Sequence, residues 1–352
     1  MLGPSPSSMT AALINNGLVQ SYPTDCAVRR GRGVMVSALD VATLTFFEVD
    51  TCWTLVCPGI WDGYSTALVR MALTRSYLLH TIVAISKLHQ DWMHASSRPQ
   101  ASSLFHSQHA LAAYNQRLRG TITAEDAVAI FSTSTLMNAV AFAQCSRVDA
   151  ASSWPMTAGE NALQWLSIQA GPARLLSKLG PLLFDSILQQ GLQRFDDSSS
   201  VLNFHQELPQ LGDLRSLIES THGLGSPCCE AIDSLTPLFK LPRIADEAPK
   251  FLNFMGNLSP GFVRLLTARD PLALLVLAYW YTLIIELNQW WLLGRARTEC
   301  TSICMFLERH RDGRIRALLE FPAHACGYSL LSDISMASVS LLPSDDLECV
   351  LM

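Results

Sequence analysis

Charged residues are scarce in this sequence. Asp, Glu, Lys and Arg make up 16% of the 352 residues, whereas 49% of the residues are hydrophobic. Soluble globular domains usually carry about 25% charged residues. A chain of this length can bury a substantial core, and its low charge indicates a small surface relative to the buried volume. We therefore predict one compact body.

An excess of basic residues is also absent. The chain has 25 Lys and Arg against 30 Asp and Glu, a formal net charge of −5 at pH 7. Direct binding to duplex DNA requires a basic face, so we do not expect it. Residues 1–37 are predicted to be a flexible N-terminal arm. The cluster of Arg29, Arg30 and Arg32 in this arm is either a nuclear import signal or part of a solvated tail.

Cysteine patterns that indicate a disulfide framework or zinc binding are missing. Ten cysteines are too dilute for a disulfide-rich fold, and residues 1–23 lack the charged and apolar regions of a secretory signal. We therefore expect free thiols in a reducing compartment. No close pair forms a CxxC motif with a second pair at metal-binding distance. The close pairs are Cys52 and Cys57, Cys228 and Cys229, and Cys300 and Cys304.

Motifs of common enzyme classes are missing as well. The absence of GxSxG, GxGxxG and GxxxxGK[ST] argues against α/β-hydrolases, dinucleotide-binding enzymes and P-loop proteins. His106 and His109 share a helical face, but a metal site needs a third ligand, which His89 or His94 would have to supply. We therefore predict neither a metal nor a cofactor.

One acidic pair raises the hypothesis of an isoprenoid cyclase, which is an all-α enzyme. Asp196 and Asp197 begin like a magnesium-binding DDxxD motif, but Ser200 occupies the third acidic position. Mg²⁺ prefers several oxygen ligands, so a solvated turn is favoured and we predict no catalytic residues. An all-α enzyme acting on an apolar, terpenoid-like substrate stays open as an alternative.

The most apolar stretch lies within residues 270–291, DPLALLVLAYWYTLIIELNQWW. Asp270 is a good helix N-cap and Pro271 suits the first helical position. Residues 272–285 contain a single polar side chain, Thr282. A helix that is apolar on every side is normally surrounded by other helices, so this stretch predicts a buried central helix.

A membrane span is the alternative interpretation of the same stretch. Crossing the hydrocarbon core takes about 20 consecutive apolar residues, and Glu286, Asn288 and Gln289 interrupt this run too early. We therefore favour a central helix over about residues 271–287 and predict no membrane span.

Apolar periodicity elsewhere also favours helices. Leu104, Leu111 and Leu118 lie one heptad apart and predict a helix packed on the common core. Because strand-like alternation is scarce, we predict an all-α fold, with a single irregular multi-helix domain over residues 38–328 and a tail over residues 329–352. The predicted helices besides the central one span residues 38–56, 77–94, 102–119, 124–142, 160–168, 173–179, 211–218 and 231–239, with a last amphipathic helix through residues 296–307.

Aromatic residues crowd the central helix and the residues after it. Their ring N–H and O–H groups need partners when buried. We predict that an apolar molecule of sterol or terpenoid size binds between the central helix and its neighbours. It would contact some of Trp280, Leu283, Trp290 and Trp291. The alternative is that these aromatic side chains simply fill the core.

Several segments, taken in order, resemble a known family. They are YLLHTIVAISKLH (77–89), HSQHALAAYNQRLRGTITAEDAVAIFSTSTL (106–136), WLSIQAGPARLL (165–176), DPLALLVLAYWYTLIIELNQWWLLGRA (270–296) and LEFPAHACGY (319–328). The set resembles the C-terminal regulatory domain of fungal zinc-cluster (Zn2Cys6) transcription factors of the sterol-uptake-control type. This resemblance implies an all-helical domain that senses an apolar ligand, such as a sterol, and controls transcription from a separate DNA-binding module.

The sequence departs from that family near its N-terminus. The zinc cluster of such factors needs six cysteines that open with CxxC amid Lys and Arg, whereas only Cys26 stands before residue 50. Either the chain is a regulator that acts through a partner, or it is a truncated or wrongly started gene product.

The sequence therefore predicts a non-enzymatic transcription regulator or co-regulator of sterol or secondary-metabolite biosynthesis genes. We expect it in the nucleus, with the cytoplasm as the alternative. Its expected partners are a small apolar ligand and other transcription proteins, with a homodimer as a further candidate. A dimerisation module is a second alternative function, and it would show an exposed apolar patch and a filled core.

Overall fold

The computed structural model describes residues 38–55, 63–94, 101–144, 149–157, 159, 162–183 and 208–331. Every regular element in these ranges is a helix, which confirms the predicted all-α class. The predicted N-terminal arm, residues 332–352 of the predicted tail and the acidic pair Asp196–Asp197 lie outside the described residues.

The α-helices of the described residues are α1 (Ala38–Phe46), α2 (Cys52–Leu55), α3 (Tyr64–Ala72), α4 (Ser76–Met93), α5 (Ala101–Leu118), α6 (Ala124–Ala143), α7 (Gln164–Gln169), α8 (Gly171–Leu183), α9 (Pro209–His222), α10 (Pro227–Leu235), α11 (Ala248–Gly256), α12 (Pro260–Thr267), α13 (Pro271–Glu286), α14 (Trp290–Leu307) and α15 (Gly313–Cys326).

Helix α13 is the central helix that the sequence predicts. The backbone N–H groups of Leu272 and Ala273 donate to Oδ1 of Asp270 at 3.1 and 3.0 Å, so this carboxylate caps the free donors of the first turn. Residues 272–285 are all buried. Asp270 thus determines where helix α13 starts, and neighbouring helices cover α13 on every side.

The polar atoms on α13 bond to its neighbours. Pro322 in α15 has no backbone N–H, so the carbonyl oxygen of Leu318, one turn earlier, lacks its usual helical donor. The hydroxyl of Tyr279 donates to that oxygen at 3.1 Å. Nε1 of Trp280 donates to the carbonyl oxygen of Phe251 at 2.8 Å, which links α13 to α11. These bonds satisfy groups that would be costly to bury alone.

Two groups of helices share one core. Helices α10, α11, α12, α14 and α15 contact α13, while α3, α5 and α6 contact α4. Helix α6 also contacts α14 and so joins the two groups. Buried apolar residues from both groups belong to one hydrophobic cluster. The aromatic residues after α13 therefore lie where the two groups meet.

Helix α5 packs on the common core as predicted, but two of its three heptad leucines do not face that core. Leu104 and Leu111 are 44% and 45% exposed. Helix α5 instead buries Ser103, Ala110 and Tyr114. Small side chains at such a face let two helices approach closely, and α5 packs along α4. Leu118, the third residue of the heptad, is partly buried and packs against the core, so the heptad spacing does not mark the buried face of α5.

The prediction that α14 is the last helix is also wrong, because α15 follows it. The first turn of α15 contains Arg314 and Arg316, both exposed, and Pro322 lies inside the helix. Charge at the start and a helix-breaking residue in the interior together hid the helical pattern. Helices α3, α11 and α12 were not predicted either.

One described helix, α6, is long and apolar enough to cross a membrane by length and composition alone. Within its most apolar window, 78% of the residues are buried inside the protein. A buried core helix passes the same test, so this property is weak evidence for a membrane span. The shorter α13, for which the sequence raised the question, has 16 residues.

Candidate functional site: an aromatic crevice at the start of helix α14

A small aromatic crevice lies between helices α4, α6 and α14. Its volume is about 10 Å³, close to the minimum that holds one water molecule. Two of the four predicted ligand-binding residues, Trp290 and Trp291, belong to its wall. The crevice is lined by Leu88, Trp92, Phe142, Ala143, Trp290, Trp291 and Gly294.

Trp290 is held in place from two directions. Its Nε1 donates to Oγ1 of Thr54 at 2.7 Å, and its ring stacks on His89 with centroids 4.5 Å apart and an interplanar angle of 15°. Trp92, 48% exposed, lies with its centroid 6.1 Å from that of Trp290. Trp92 is thus an exposed side chain at the edge of the crevice, whereas Trp290 is held by a hydrogen bond and a stacking contact.

His89 supports this arrangement as a neutral ring. Its Nδ1 lies 3.1 Å from Oγ1 of Thr51, in the π-helical turn Phe47–Thr51 that joins α1 to α2. Burial lowers the pKa of His89 below its usual 6.5, against the opposing effect of Asp50. The uncharged form is therefore favoured at neutral pH. The spacing of His89 and Trp92 puts both on one face of α4, a signal that sequence reasoning did not use.

Trp291 forms the inner wall of the crevice. Its ring meets Phe142 edge to face, with centroids 6.1 Å apart and an angle of 84°. The side chain is 6% exposed, and its Nε1 has no hydrogen-bond partner among the described residues. A buried ring N–H without an acceptor costs free energy, so an acceptor entering the crevice would relieve that cost.

Trp280 and Leu283 are not brought into this crevice. Both are fully buried. The Trp280 ring packs against Phe254 and Phe142, with a centroid distance of 6.2 Å to each. Phe142 therefore contacts Trp280 on one side and Trp291 on the other, and it is the shared neighbour through which the predicted residues connect.

A larger groove opens between α10 and α11, away from Trp290 and Trp291. Its volume is about 320 Å³, and its lining includes Glu230, Ser234, Lys250, Asn253 and Phe254. This volume falls at the lower end of the range of small-molecule sites. The polar lining differs from the aromatic lining of the crevice, so the groove suits a more polar molecule.

A buried ion pair lies behind the crevice. Arg295 in α14 contacts Glu299 one turn later at 2.5 Å, and the hydroxyl of Tyr281 donates to the same carboxylate at 2.5 Å. Burial raises the pKa of Glu299, and the charge of Arg295 opposes that rise. Arg295 also donates to the carbonyl oxygen of Ala141 at 3.0 Å. The pair thus fastens α14 to α13 and α6.

The position of Arg295 over two aromatic rings adds to this network. Its guanidinium carbon is 4.8 Å from the centroid of Trp165 and 5.9 Å from that of Phe142. Cations are attracted to aromatic faces, more strongly when both are shielded from water. Sequence reasoning missed the network, although an Arg and a Glu four residues apart on a mostly apolar helix indicate a local pair.

Two side-chain clusters among the described residues have ligand types suited to metal ions. The sulfur atoms of Cys300, Cys304 and Cys326 all lie within 4.8 Å of one another. A second cluster joins His222, Cys228 and Asp270 with the same upper limit. In that second cluster Asp270 already caps α13 and lies 3.3 Å from Nε2 of His222. Its geometry is therefore explained by the protein's own contacts.

The histidine pair on α5 has a neighbour other than those the sequence suggested. Nδ1 of His80 lies 2.9 Å from Nδ1 of His106, and the His80 ring centroid is 5.5 Å from that of His109. His80 rather than His89 or His94 is thus adjacent to the pair. His89 instead stacks on Trp290.

The chain is similar to a protein of Gibberella zeae named Zn(2)-C6 fungal-type transcription factor. The two are 27% identical over 291 residues, which cover 74% of this chain and 57% of that protein. The chain therefore spans little more than half the length of this relative. No family model matches the chain.

This likeness supports the general family that the sequence resembles, the Zn(2)-C6 fungal-type transcription factors. A transcription factor is not an enzyme, which agrees with the prediction that this chain has no catalytic role. The similarity thus favours transcription regulation in general.

Proposed function

We propose that the chain is the regulatory part of a nuclear transcription regulator that acts on sterol or secondary-metabolite biosynthesis genes. The observation that carries this proposal is the similarity to the Gibberella zeae transcription factor over 74% of the chain. The helical core around α13 is consistent with it. Because the chain has a net charge of −5, we infer that DNA is reached through another protein or another module.

A tethering experiment tests this part of the proposal. The chain is fused to an unrelated DNA-binding domain and placed upstream of a reporter gene in a fungal host. We expect reporter output to change severalfold relative to the DNA-binding domain alone. Reporter output equal to that of the DNA-binding domain alone, with the fusion present in the nucleus at the same level, would refute a regulatory role.

The proposed effector is an apolar molecule of sterol or terpenoid size that carries one hydrogen-bond acceptor. Two features of the aromatic crevice support this chemistry. Its wall is built of Trp92, Phe142, Trp290 and Trp291, and Nε1 of Trp291 has no partner among the described residues. An apolar body would pack on the rings while a hydroxyl or carbonyl oxygen accepts from Trp291.

Binding requires the crevice to open. Its volume of about 10 Å³ is far below that of a sterol, and pockets for such molecules measure about 300 to 1,000 Å³. Trp92 is 48% exposed, so it is the side chain that can swing outward with least loss of packing. Burying a few hundred Å² of apolar area at roughly 25 cal/mol per Å² would support micromolar binding after the cost of association.

Titration of ergosterol with tryptophan fluorescence as the signal tests the crevice. We expect saturable quenching at one ligand per chain. Trp290→Ala should lower the affinity for ergosterol at least about tenfold, which is a loss of about 1.4 kcal/mol of binding free energy. Ser234→Phe is the matched control, because it narrows the larger groove without adding a tryptophan to the signal and leaves the crevice intact. Unsaturable quenching, or weaker binding in Ser234→Phe alone, would contradict binding in the crevice.

A homodimer is the proposed assembly, and other transcription proteins are the remaining proposed partners. Helix α5 exposes three large apolar side chains, Leu104, Phe105 and Leu111, each 44% to 50% accessible. Exposed apolar side chains grouped on one helix are typical of contact surfaces. Leu104→Glu with Leu111→Glu should convert a dimer to a monomer in sedimentation equilibrium, and a wild type that is already monomeric at high concentration would exclude this assembly.

A further inference from the structure

Three cysteine thiols converge between α14 and α15, well away from the aromatic crevice. Cys300 and Cys304 are one turn apart on α14, so a helix puts both on the same face. Cys326 is the last residue of α15. The three sulfur atoms all lie within 4.8 Å of one another. Cys300 and Cys304 are buried, whereas Cys326 is partly exposed and gives access to the site.

The spacing of these sulfur atoms fits a three-coordinate ion. A thiophilic ion binds sulfur at about 2.3 Å, so three sulfurs around one centre lie about 4 Å apart in a planar complex and about 3.4 Å apart in a pyramidal one. The observed upper limit of 4.8 Å requires the sulfur atoms to approach one another by at most about 1.4 Å. Structural zinc sites usually take four ligands, so three sulfurs match zinc less well.

The charge of the product selects among thiophilic ions. Three thiolates would leave a net charge of −2 with Cu(I), −1 with Zn(II) and zero with trivalent arsenic. A buried, uncompensated charge is costly. Glu308 already acts on Cys304 with negative charge, and the carbonyl oxygen of Pro322 lies 3.6 Å from Sγ of Cys300. A site surrounded by negative and partly negative oxygens favours the neutral complex.

We propose that Cys300, Cys304 and Cys326 form a binding site for a trivalent thiophilic metalloid, with arsenite as the representative species. With three thiols, three As–S bonds form and three As–O bonds break. Each hydroxyl of arsenous acid leaves as water with one thiol proton. The oxidation states of arsenic and sulfur do not change. No redox partner is therefore needed.

The experiment titrates the reduced full-length chain with arsenite and follows the thermal midpoint and the number of reactive thiols. We expect one arsenic per chain and a higher thermal midpoint. When the arsenite-bound protein is denatured in the presence of an alkylating reagent, three of the ten cysteines should escape alkylation, whereas all ten should be alkylated in the arsenite-free protein. X-ray absorption at the arsenic edge should show three sulfur neighbours and no oxygen neighbour.

Single substitutions locate the site. Cys326→Ser changes the most accessible of the three cysteines and should weaken arsenite binding at least about tenfold while leaving the unliganded midpoint nearly unchanged. Cys229→Ser is the matched control, because it removes the adjacent Cys228–Cys229 dithiol, and it should bind like the wild type. Cys326→Ala is a second variant if Cys326→Ser disturbs folding, because it adds no hydroxyl that needs a hydrogen-bond partner.

Several outcomes would overturn the proposal. They are equal arsenite affinity of the wild type and Cys326→Ser, loss of binding in Cys229→Ser, protection of two thiols instead of three, and tighter binding of Zn(II) or Cu(I) than of arsenite in the same assay. This inference is independent of the proposed transcription role, since it concerns binding to the isolated chain.

Discussion

Nε1 of Trp290 donates a hydrogen bond of 2.7 Å to Oγ1 of Thr54, a residue 236 positions earlier in the chain. This contact joins the first described helices to the start of α14 and holds one wall of the aromatic crevice. Thr54 Oγ1 in turn donates to the carbonyl oxygen of Thr51 at 2.7 Å, and Thr51 is also the residue whose Oγ1 lies 3.1 Å from Nδ1 of His89. The position of the crevice wall therefore depends on a segment far away in sequence.

Trp290→Phe is expected to lower the free energy of unfolding by about 1 to 3 kcal/mol, because the hydrogen bond to Thr54 is lost and the smaller ring leaves space. Denaturant titration measures this change. Trp53→Phe is the control, since Trp53 is 49% exposed and should change stability by less than about 0.5 kcal/mol. A double substitution with Thr54→Val that costs the sum of the two single changes would contradict the contact.

His89 is expected to make the protein less stable as the pH falls below about 6.5. Burial lowers its pKa in the folded state, so between the unfolded and folded pKa values the unfolded chain binds more protons. Stability supplied by the neutral ring is present above pH 6.5 and is lost as the pH falls through the folded pKa. His89→Phe should lose stability less steeply from pH 7 to 5, and identical slopes would disprove this role.

Arg295→Met is expected to cost about 3 to 5 kcal/mol of stability at pH 7, because it leaves the buried carboxylate of Glu299 without its cation. Burial already raises the pKa of Glu299, so the folded state takes up a proton as the pH falls. The cost of Arg295→Met should therefore shrink toward pH 5, and adding Glu299→Gln should recover part of it.

Arg215→Met provides the comparison for that change. Arg215 pairs with Asp233 at 2.7 Å on the surface, where its side chain is 41% exposed. Exposed ion pairs contribute about 0 to 1 kcal/mol. Equal losses in the free energy of unfolding for Arg295→Met and Arg215→Met would show that the buried network stabilises the protein no more than an exposed ion pair does.

The isolated chain is expected to bind duplex DNA no better than a neutral control protein. Its net charge of −5 gives little attraction to phosphates, which dominate the affinity of DNA-binding proteins and make it salt-dependent. A gel-shift titration at low salt checks this. Tight binding that weakens steeply with added salt would contradict the expectation.

The central helix was predictable from sequence because its information is local. Asp270 and Pro271 mark the start, and an unbroken apolar run allows a single environment, the core. Helix α15 was not predictable in the same way, since Arg314, Arg316 and Pro322 weaken its periodicity. Pro322 is tolerated because Tyr279, on another helix, bonds to the carbonyl oxygen that proline frees. That compensation is tertiary.

The candidate site was predictable only in part, for a related reason. The concentration of aromatic residues indicated Trp290 and Trp291, but the side chains facing them come from α4 and α6. Similarly, the spacing of Cys300 and Cys304 indicates that they share one helical face. Cys326 lies on α15 and comes close to them only because α15 folds back against α14. A pattern of spacing describes one helix at a time, so it cannot specify which residues of other helices complete a site.

The central claim, that an apolar effector acts through the crevice to control transcription, is tested most directly by the tethered reporter under sterol depletion. Wild type is compared with Trp291→Phe, which removes the unpartnered indole N–H and keeps an aromatic ring, at equal nuclear protein levels. We expect depletion to change wild-type output severalfold and leave the variant's output constant. Equal responses of the two proteins, or no response of either, would contradict the claim.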